Sequence, residues 1–293
     1  MSHRSGYVNI IGNPNVGKST LMNALVGERL SIITSKAQTT RHRILGIVNE
    51  ENYQIIFSDT PGIIDPAYAL QESMMDFVKT AFEDADVLVY LVEIGEKGLK
   101  DELFFKKLQA SKVPILLLIN KIDTTDQARL EEAVANWSAV LPHAEIHPIS
   151  ALQGFGVEGI MTRIKELLPL GPTYFDKEQL TDKTERFFVS ETIREKILLN
   201  YKKEVPYSVE IEVESFKEEE KLIRIRAVIM VERETQKGIL IGHQGKALKR
   251  VGTEARKDLE SFFQKQIHLE LYVKVNKDWR SNENQLRRFG YQG

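Results

Sequence analysis

The segment Gly12–Ser19, GNPNVGKS, has the residue types and spacing that hold a nucleoside triphosphate. Its glycines let backbone N–H groups wrap around phosphates without a Cβ in the way. Lys18 is expected to reach the outer phosphates, and the Ser19 hydroxyl to bind Mg²⁺. An apolar run precedes the segment and a helical pattern follows it, so the positive end of that helix adds to the site. By itself the motif predicts only a nucleoside triphosphate and Mg²⁺.

The tetrapeptide NKID, Asn120–Asp123, indicates which base is bound. The Asp123 carboxylate can accept hydrogen bonds from the ring N–H and the exocyclic amine of guanine. Adenine would leave that carboxylate unpaired, so discrimination of about 10⁴-fold is expected. In Ile149–Ala151, ISA, a backbone N–H could meet the guanine carbonyl. Each motif is short enough to be a polar strand end, but in register with the phosphate loop they predict guanine.

Two further segments are expected to respond to the nucleotide. In Asp59–Gly62, DTPG, Asp59 would hold Mg²⁺, usually through water, and the Gly62 N–H would meet the γ-phosphate. The segment Ile33–Ile44 has paired threonines and few apolar residues, as expected of a loop that is ordered by nucleotide. A plain surface loop would have a similar composition. Within this loop Thr40 is predicted to bind Mg²⁺.

The segment GILIGHQGKALKRVG, Gly238–Gly252, points to a second kind of chemistry. Its two G-x-x-G glycines permit close approach of an RNA backbone, and basic side chains follow them. The pattern is similar to the clamp of KH domains, which hold about four nucleotides of a single strand. A helix–turn–helix with incidental glycines is the alternative. The predicted RNA-binding residues are Gly242, His243, Gln244, Gly245, Lys246, Lys249 and Arg250.

The elements that must position the nucleotide motifs are apolar runs alternating with helical patterns, which indicates a parallel sheet covered on both faces. The runs are Tyr7–Ile11, Tyr53–Phe57, Val87–Val92, Ile115–Ile119 and Ile146–Ile149. The candidate helices lie near Lys18–Leu25, Leu70–Phe82, Leu99–Gln109, Asp126–Val140 and Val157–Leu168. This alternation predicts an α/β, doubly wound, mostly parallel sheet.

The chain after this region has a different pattern. We predict a first domain over residues 1–170, a linker over 171–184 and a second domain over 185–293, because the stretch Pro169–Glu185 contains two prolines, a glycine and many polar residues. The expected elements of the second domain are a helix Arg186–Asn200, strands Ser208–Glu214, Leu222–Val231 and Ile267–Val275, and helical stretches near Gly238–Leu240 and Lys246–Gln264. One-sided strands with helices predict a smaller α+β domain. Glu210, Glu212 and Glu214 are expected to face solvent, paired with Arg224 and Arg226.

Composition narrows the function classes. The 293 residues contain no cysteine, which excludes a disulfide framework, a cysteine nucleophile and a thiolate metal site. The formal net charge of −2 means that positive charge for RNA must be local. No apolar run is long enough to span a bilayer, and the N-terminal residues lack the apolar stretch of a signal peptide. We therefore expect a cytoplasmic protein.

Taken in order, the nucleotide motifs resemble the translation-factor-like class of GTPases. With DTPG, QTTRHR, the segment Arg194–Ser208 (REKIL…EVPYS) and the G-x-x-G module, the chain resembles the Era family of ribosome-assembly GTPases over essentially its whole length. The resemblance implies hydrolysis of GTP to GDP with Mg²⁺. It also implies binding to the single-stranded 3′ end of small-subunit (16S) ribosomal RNA and a role in assembly of the small ribosomal subunit. Peripheral contact with the inner membrane follows from the resemblance alone, and no obligate protein partner is expected.

The site residues follow from these motifs. Those assigned to the nucleotide are Gly12, Asn13, Pro14, Asn15, Val16, Gly17, Lys18, Ser19, Thr20, Asp59, Thr60, Pro61, Gly62, Asn120, Lys121, Asp123, Ser150 and Ala151. Catalytic roles are assigned to Lys18, Thr40 and Gly62, and Mg²⁺ binding to Ser19, Thr40 and Asp59.

Catalysis raises a separate question. Ras-type GTPases place a glutamine after the glycine of DTPG to orient the attacking water, whereas this chain has Ile63 and then Ile64, which cannot hydrogen-bond water. The phosphate loop resembles a subgroup in which the asparagine at Asn15 helps to hold K⁺, with carbonyl oxygens from Thr34–Lys36. The alternative is that Asn15 only ties the loop together by hydrogen bonds.

Two rival functions remain at this point. A P-loop kinase or ATPase is disfavoured by NKID. An RNA-binding scaffold with a vestigial nucleotide site is disfavoured because Lys18, Ser19, Asp59 and Asp123 are all present.

Overall fold

The computed structural model describes residues 3–291. It divides them into two compact units, each with its own sheet. The first contains the residues up to Ala67 together with Gln71–Asp182. The second contains Tyr68–Leu70 and the residues from Lys183 onward.

The first unit is built on a six-stranded sheet in the order β2-β3-β1-β4-β5-β6. The strands are β1 Arg4–Ile11, β2 Ile44–Asn49, β3 Tyr53–Asp59, β4 Val87–Glu93, β5 Ile115–Asn120 and β6 Glu145–Pro148. The helices are α1 Lys18–Val26, α2 Ala69–Glu83, α3 Glu102–Gln109, α4 Gln127–Val140 and α5 Val157–Leu167. Only the edge strand β2, which the sequence did not predict, runs antiparallel to its neighbour. The predicted α/β, mostly parallel sheet is confirmed.

The central strands are buried because they are apolar throughout. Every residue of β5, ILLLIN, is buried, as is all of β4 except its last residue. Two helices begin at side-chain caps: Asp101 accepts from the Leu103 and Phe104 backbone N–H groups, and Asp126 accepts from that of Arg129. The parallel arrangement brings the carboxyl ends of β1, β3, β5 and β6 to one edge, where the nucleotide motifs follow them.

The segment predicted as a linker is packed on the first unit. Thr181 pairs with Gly46 of β2 in an isolated antiparallel bridge, and the Ile47 N–H donates to the Leu180 carbonyl at 2.8 Å. Gln54 of β3 is fully buried and accepts at Oε1 from the backbone N–H groups of two residues of this segment at 2.6 and 3.0 Å. These bonds use backbone groups, which explains why a polar, proline-containing sequence can dock without an apolar face. We call residues 172–182 the strap.

The second unit has a three-stranded sheet in the order β7-β8-β9, with β7 and β8 antiparallel and β8 and β9 parallel. Its elements are α6 Glu185–Asn200, β7 Glu210–Glu218, β8 Leu222–Val231, α7 Glu234–Ile241, α8 Lys246–Phe263, β9 Gln266–Val275 and α9 Glu283–Arg288. The predicted order of elements is observed, with α9 as an addition. Apolar residues of α6, α8 and all three strands form one buried core.

The expected pairing of the β7 glutamates with Arg224 and Arg226 is wrong for two of the three residues. Glu210 is buried, and it accepts a hydrogen bond from the Tyr291 hydroxyl at 2.7 Å. Glu212 pairs with Arg288, and only Glu214 faces Arg226, as expected. The reason is tertiary: the C-terminal segment, which strand periodicity does not include, covers the start of β7.

Candidate nucleotide and RNA sites

Most of the predicted nucleotide residues line one cavity of about 390 Å³ in the first unit. The predicted residues on its wall are Pro14, Asn15, Gly17, Lys18, Ser19, Thr20, Thr40, Gly62, Asn120, Lys121, Asp123 and Ser150. The predicted residues absent from the lining are all buried, and they are Gly12, Asn13, Val16, Asp59, Thr60, Pro61 and Ala151. These residues act behind the wall by holding it in place.

The phosphate loop is already shaped around the Lys18 amine. Lys18 is buried, and its Nζ donates to the carbonyl oxygens of Gly12 and Asn13 at 3.1 and 2.9 Å. Burial lowers the pKa of Lys18 to about 8, although the charges of Asp59 and Glu96 act in the opposite direction. Lys18 is thus a positive group enclosed among carbonyls, in position to meet phosphate oxygens.

Gly17 shows why this loop needs glycine. Its φ is +103°, and a Cβ would lie 2.4 Å from Nδ2 of Asn120. That Nδ2 donates to the Val16 carbonyl at 2.8 Å, and Oδ1 of Asn120 accepts from the Ala151 N–H at 2.9 Å. Asn120 therefore ties three motifs together. In the structure it thus engages one of the backbone N–H groups of Ile149–Ala151, the segment in which an N–H was expected to meet the guanine carbonyl.

The three residues predicted to bind Mg²⁺ converge. Ser19 Oγ donates to Asp59 Oδ2 at 2.7 Å, and Thr40 Oγ1 lies 2.9 Å from Ser19 Oγ and 3.3 Å from the same carboxylate oxygen. Asp59 is fully buried, and burial raises its pKa. Among the described residues, no donor reaches its Oδ1.

This donor set fits Mg²⁺. Two hydroxyls and one carboxylate leave further positions for water and phosphate oxygens, which Mg²⁺ prefers to an all-protein cage. Within residues 3–291, no cluster of three or more histidine and acidic side chains could hold a metal by itself. A cation beside the unpaired Asp59 oxygen would also offset the cost of its burial.

At the other end of the cavity lies the exposed Asp123. Its Oδ1 accepts a hydrogen bond from Ser150 Oγ at 2.6 Å, which fixes the carboxylate plane. Lys121 donates to Glu93 at 2.6 Å and to the Asn15 carbonyl at 2.8 Å. The base-reading residue is therefore oriented, and its neighbour is tied to the phosphate loop.

Of the two residues expected near the attacking water, Gly62 lies on the surface of the cavity and Ile63 lies buried behind it. Gly62 lines the cavity beside Pro14, and a Cβ there would come within 2.8 Å of the Pro14 Cα. Ile63 is fully buried, and its N–H donates to the Gly12 carbonyl at 3.1 Å. Ile63 therefore anchors the segment and leaves the orientation of water to other groups.

The predicted potassium residues also border the cavity. Asn15 is exposed, has a φ of +67°, and lines the wall together with Thr34, Ser35 and Lys36. The Lys36 carbonyl accepts from Thr39 Oγ1 at 2.6 Å.

Other cavity residues were missed by the sequence analysis. They are Ile32, Ile33, Gln38, Thr39, Thr124 and Leu152. Their position in the sequence could have predicted this, because each lies within a few residues of a motif. Leu152 directly follows ISA and is 76% exposed, although it is a large apolar residue.

In the second unit the G-x-x-G segment forms a single 3₁₀ turn, His243–Gly245, between α7 and α8. His243, Gln244 and Lys246 are exposed. Gly242 has a φ of +70°, and a Cβ there would lie 2.6 Å from the Ala247 Cβ. Only glycine fits this position, and the turn presents its polar residues outward.

A groove of about 350 Å³ runs beside this turn. Of the predicted RNA-binding residues, Gly245 and Lys249 line it. Arg256, one of the basic side chains that follow the G-x-x-G glycines and were expected to supply local positive charge, lines it as well. The residues of the lining that were not predicted to bind RNA are Leu248, Gly252, Thr253, Leu269 and Leu271. Helical spacing could have predicted some of them, because residues four positions apart on α8, such as Lys249 and Thr253, share one face of the helix.

Comparisons with known proteins match both domain types. A family model described as "50S ribosome-binding GTPase" matches residues 7–121, and one described as "KH domain" matches residues 204–280. The chain is 46% identical over 291 residues to GTPase Era of Syntrophus aciditrophicus (strain SB), covering 98% of this chain and 95% of that protein. It is equally identical to GTPase Era of Geotalea uraniireducens (strain Rf4), with 99% and 98% covered.

Two solved structures are similar over the full length. One is Era in complex with MgGDPNP and nucleotides 1506–1542 of 16S ribosomal RNA, at 37% identity and a TM-score of 0.93, covering 99% of this chain and 100% of that chain. The other is a variant of Aquifex aeolicus Era bound to GDP·AlF₄⁻, with the same identity, coverage and TM-score.

Proposed function

The chain belongs to the Era family of GTPases, and we propose that it is a GTP-hydrolysing switch that binds the single-stranded 3′ end of small-subunit (16S) ribosomal RNA. One observation carries the nucleotide half of this proposal. Four parts of the chain border a single cavity: the phosphate loop, Asp123, and residues of the two segments expected to respond to the nucleotide, Ile33–Ile44 and Asp59–Gly62. We call these last two the switch segments. A site with all four parts suits a guanine nucleoside triphosphate and disfavours the kinase, ATPase and vestigial alternatives.

Each protein group has a defined task in this proposal. Lys18 and the N-terminus of α1 hold the outer phosphates. Asp123, fixed by Ser150, accepts from the base. The Gly62 N–H meets the γ-phosphate, whose negative charge is spread over its oxygens in the transition state. The remaining residues of the predicted nucleotide set hold these groups in position.

For the metal, we propose that Ser19 and Thr40 bind Mg²⁺ directly and Asp59 through water. When bound, Mg²⁺ neutralises charge on the β- and γ-phosphate oxygens. The Thr40 contact links the switch loop to the nucleotide, because Thr40 can hold its place only while the loop is ordered.

For the attacking water, we propose that a potassium ion held by Asn15 and by carbonyl oxygens of residues 34–36 supplies the charge that an arginine finger supplies elsewhere. The position of Asn15 on the cavity wall beside that segment supports this. The alternative, an asparagine that only ties the loop together, predicts no preference between monovalent cations.

For RNA, we propose that the turn His243–Gly245 holds the backbone and that Lys246, Lys249 and Arg250 supply charge. The groove beside the turn, with apolar Leu248, would receive bases. The similar structure of Era in complex with nucleotides 1506–1542 of 16S ribosomal RNA supports this choice of RNA.

The wider role is proposed from the family. We assign the chain to assembly and maturation of the small ribosomal subunit, in the cytoplasm, with no obligate protein partner. Peripheral contact with the inner membrane is proposed on the family resemblance alone. In residues 3–291 no helix is long and apolar enough to cross a membrane.

Phosphate release by the purified protein tests this function. GTP in the presence of Mg²⁺ should be turned over, and ATP should neither be hydrolysed nor compete. Lys18→Ala should abolish turnover while leaving RNA binding intact. Hydrolysis of ATP at the GTP rate, or RNA binding lost together with turnover, would count against the proposal.

A further inference from the structure

The loop that follows β4, residues 94–100, engages the phosphate loop through one buried side chain. Asn13 Nδ2 donates to Glu96 Oε1 at 2.8 Å and to the Gly98 carbonyl at 2.9 Å. Asn13 Oδ1 accepts from the Lys100 N–H at 3.0 Å. Both donors and the carbonyl oxygen of the Asn13 amide are therefore used within the protein. This places Asn13, which the sequence assigned to the nucleotide, behind the site as an anchor.

Glu96 is itself held in place. It is half-buried, and its second oxygen, Oε2, accepts from the Glu93 N–H at 3.1 Å. Burial raises the pKa of Glu96, and the hydrogen bond from Asn13 opposes that rise. The Asn13 main-chain carbonyl accepts from Lys18 Nζ at 2.9 Å. A continuous set of contacts thus runs from the Glu96 carboxylate to the amine that meets the outer phosphates.

Glu96 does not line the nucleotide cavity. It lies instead on the wall of a separate cleft of about 810 Å³, between residues 94–97 and one face of α4, where Trp137 is buried and Glu132 is exposed. A change at Glu96 therefore removes no group from the wall of the nucleotide cavity itself. Glu132 offers a matched control, because it is an acidic residue of the same cleft.

We propose that Glu96 is a positioning residue for phosphate binding, which acts through Asn13 on the phosphate loop and makes no contact with the nucleotide. This inference rests on the proposed guanine-nucleotide site. Its prediction is selective: losing Glu96 loosens the part of the loop that holds Lys18 and leaves the base-reading residues Asp123 and Ser150 unchanged.

Equilibrium binding of GTP, GDP and GMP tests the proposal, because GMP lacks the outer phosphates. Glu96→Ala should lower the affinity for GTP and GDP by about tenfold, which is the size of one lost buried hydrogen bond to a charged group. The affinity for GMP should fall by less than about twofold. Glu96→Gln keeps an acceptor for Asn13 and should recover most of the affinity. Glu132→Ala should bind all three nucleotides like the parent.

A double-mutant cycle with Asn13→Ala identifies the route. If Glu96 acts through Asn13, the double variant should bind GDP no more weakly than either single variant. Asn13→Ala alone should reproduce the selective loss, which keeps the test decisive if Glu96→Ala unfolds. Parent-like GDP binding by Glu96→Ala, additive losses, or an equal loss for GMP would overturn the proposal. Failure of the parent protein to bind GDP would contradict the proposed function instead.

Discussion

At the scale of single residues, the nucleotide site contains a few charged groups, each of which is held in position by hydrogen bonds to its neighbours. Lys18, Asp59 and Asp123 each have their geometry fixed by neighbours: backbone carbonyls for Lys18, the Ser19 and Thr40 hydroxyls for Asp59, and the Ser150 hydroxyl for Asp123. Such preorganisation is what electrostatic catalysis requires, because dipoles that are already aligned need not reorganise during the reaction.

Asn15 gives the residue-scale prediction. If it helps to hold K⁺ beside the phosphates, single-turnover GTP hydrolysis should be faster in K⁺ than in Na⁺ at equal ionic strength. An effect of at least roughly tenfold is expected from a fixed charge at that position. Asn15→Ala should remove the difference between the salts. Identical parent rates in both salts, at saturating GTP and Mg²⁺, would refute the potassium model.

Much of this site could be predicted from residue order, because the motifs have fixed spacing from strand ends. The role of Asn13 could not be predicted from the sequence, because its hydrogen-bond partner Glu96 lies 83 positions away in the chain. Leu152 and Thr124 reach the cavity through loop conformation, which local patterns do not encode.

At the scale of elements, the apolar strands were predictable because burial on both faces leaves little choice of residue type. β2 was missed because it is a short edge strand whose form depends on pairing with β3. Its Gly46 lies where a Cβ would come within 2.5 Å of Met22 on α1, so the residue reflects packing between elements rather than strand propensity.

The strap provides an element-scale prediction. Gln54, which is itself fully buried, makes four part-buried hydrogen bonds: it donates to Asn49 and to the Phe175 carbonyl and accepts from the Tyr174 and Phe175 N–H groups. Gln54→Leu should destabilise the first unit by about 3 kcal/mol, because these groups lose their partners. Urea unfolding measures the change.

Gln109→Leu is the control for this experiment. Gln109 is exposed and makes one long hydrogen bond, of 3.5 Å, to the Val140 carbonyl. Its substitution should change stability by less than about 0.5 kcal/mol. Equal effects of the two substitutions would mean that the hydrogen bonds of Gln54 to the strap contribute nothing to the stability of the first unit.

The G-x-x-G turn provides a second prediction at this scale. A substitution at Gly242 would not be a clean test of RNA contact, because any side chain there would collide with Ala247. Gly245 has a φ of +72° and open space, so Asn and Asp should both be accommodated. Gly245→Asp should weaken single-stranded RNA binding at least about fivefold, through repulsion of phosphate.

Gly245→Asn is the matched neutral control and should bind RNA more tightly than Gly245→Asp, since it adds nearly the same volume without charge. Filter binding at one fixed salt concentration compares the variants. If both variants lost affinity equally, shape rather than charge would explain the loss. If neither did, the turn would not contact the RNA backbone.

At the scale of the whole molecule, the chain joins a GTPase unit to an RNA-binding unit with its own core. We predict that residues 184–293 alone fold and bind single-stranded RNA within about threefold of the full chain without nucleotide, because domains with separate cores usually fold alone. Titrations at several salt concentrations should give equal slopes of log affinity against log salt for both proteins. An unfolded fragment, or equal binding to duplex DNA, would contradict this.

The central claim is that the first unit reads guanine through Asp123, and exchanging the base tests it most directly. In Asp123→Asn the oxygen can keep the Ser150 bond, while the new amide donates where xanthine has a carbonyl and guanine an amine. GTP affinity should fall at least roughly tenfold, and XTP should become the preferred substrate for hydrolysis. The parent protein should hydrolyse GTP and leave XTP and ATP untouched. If Asp123→Asn bound GTP as tightly as the parent and still rejected XTP, Asp123 would not be the base reader.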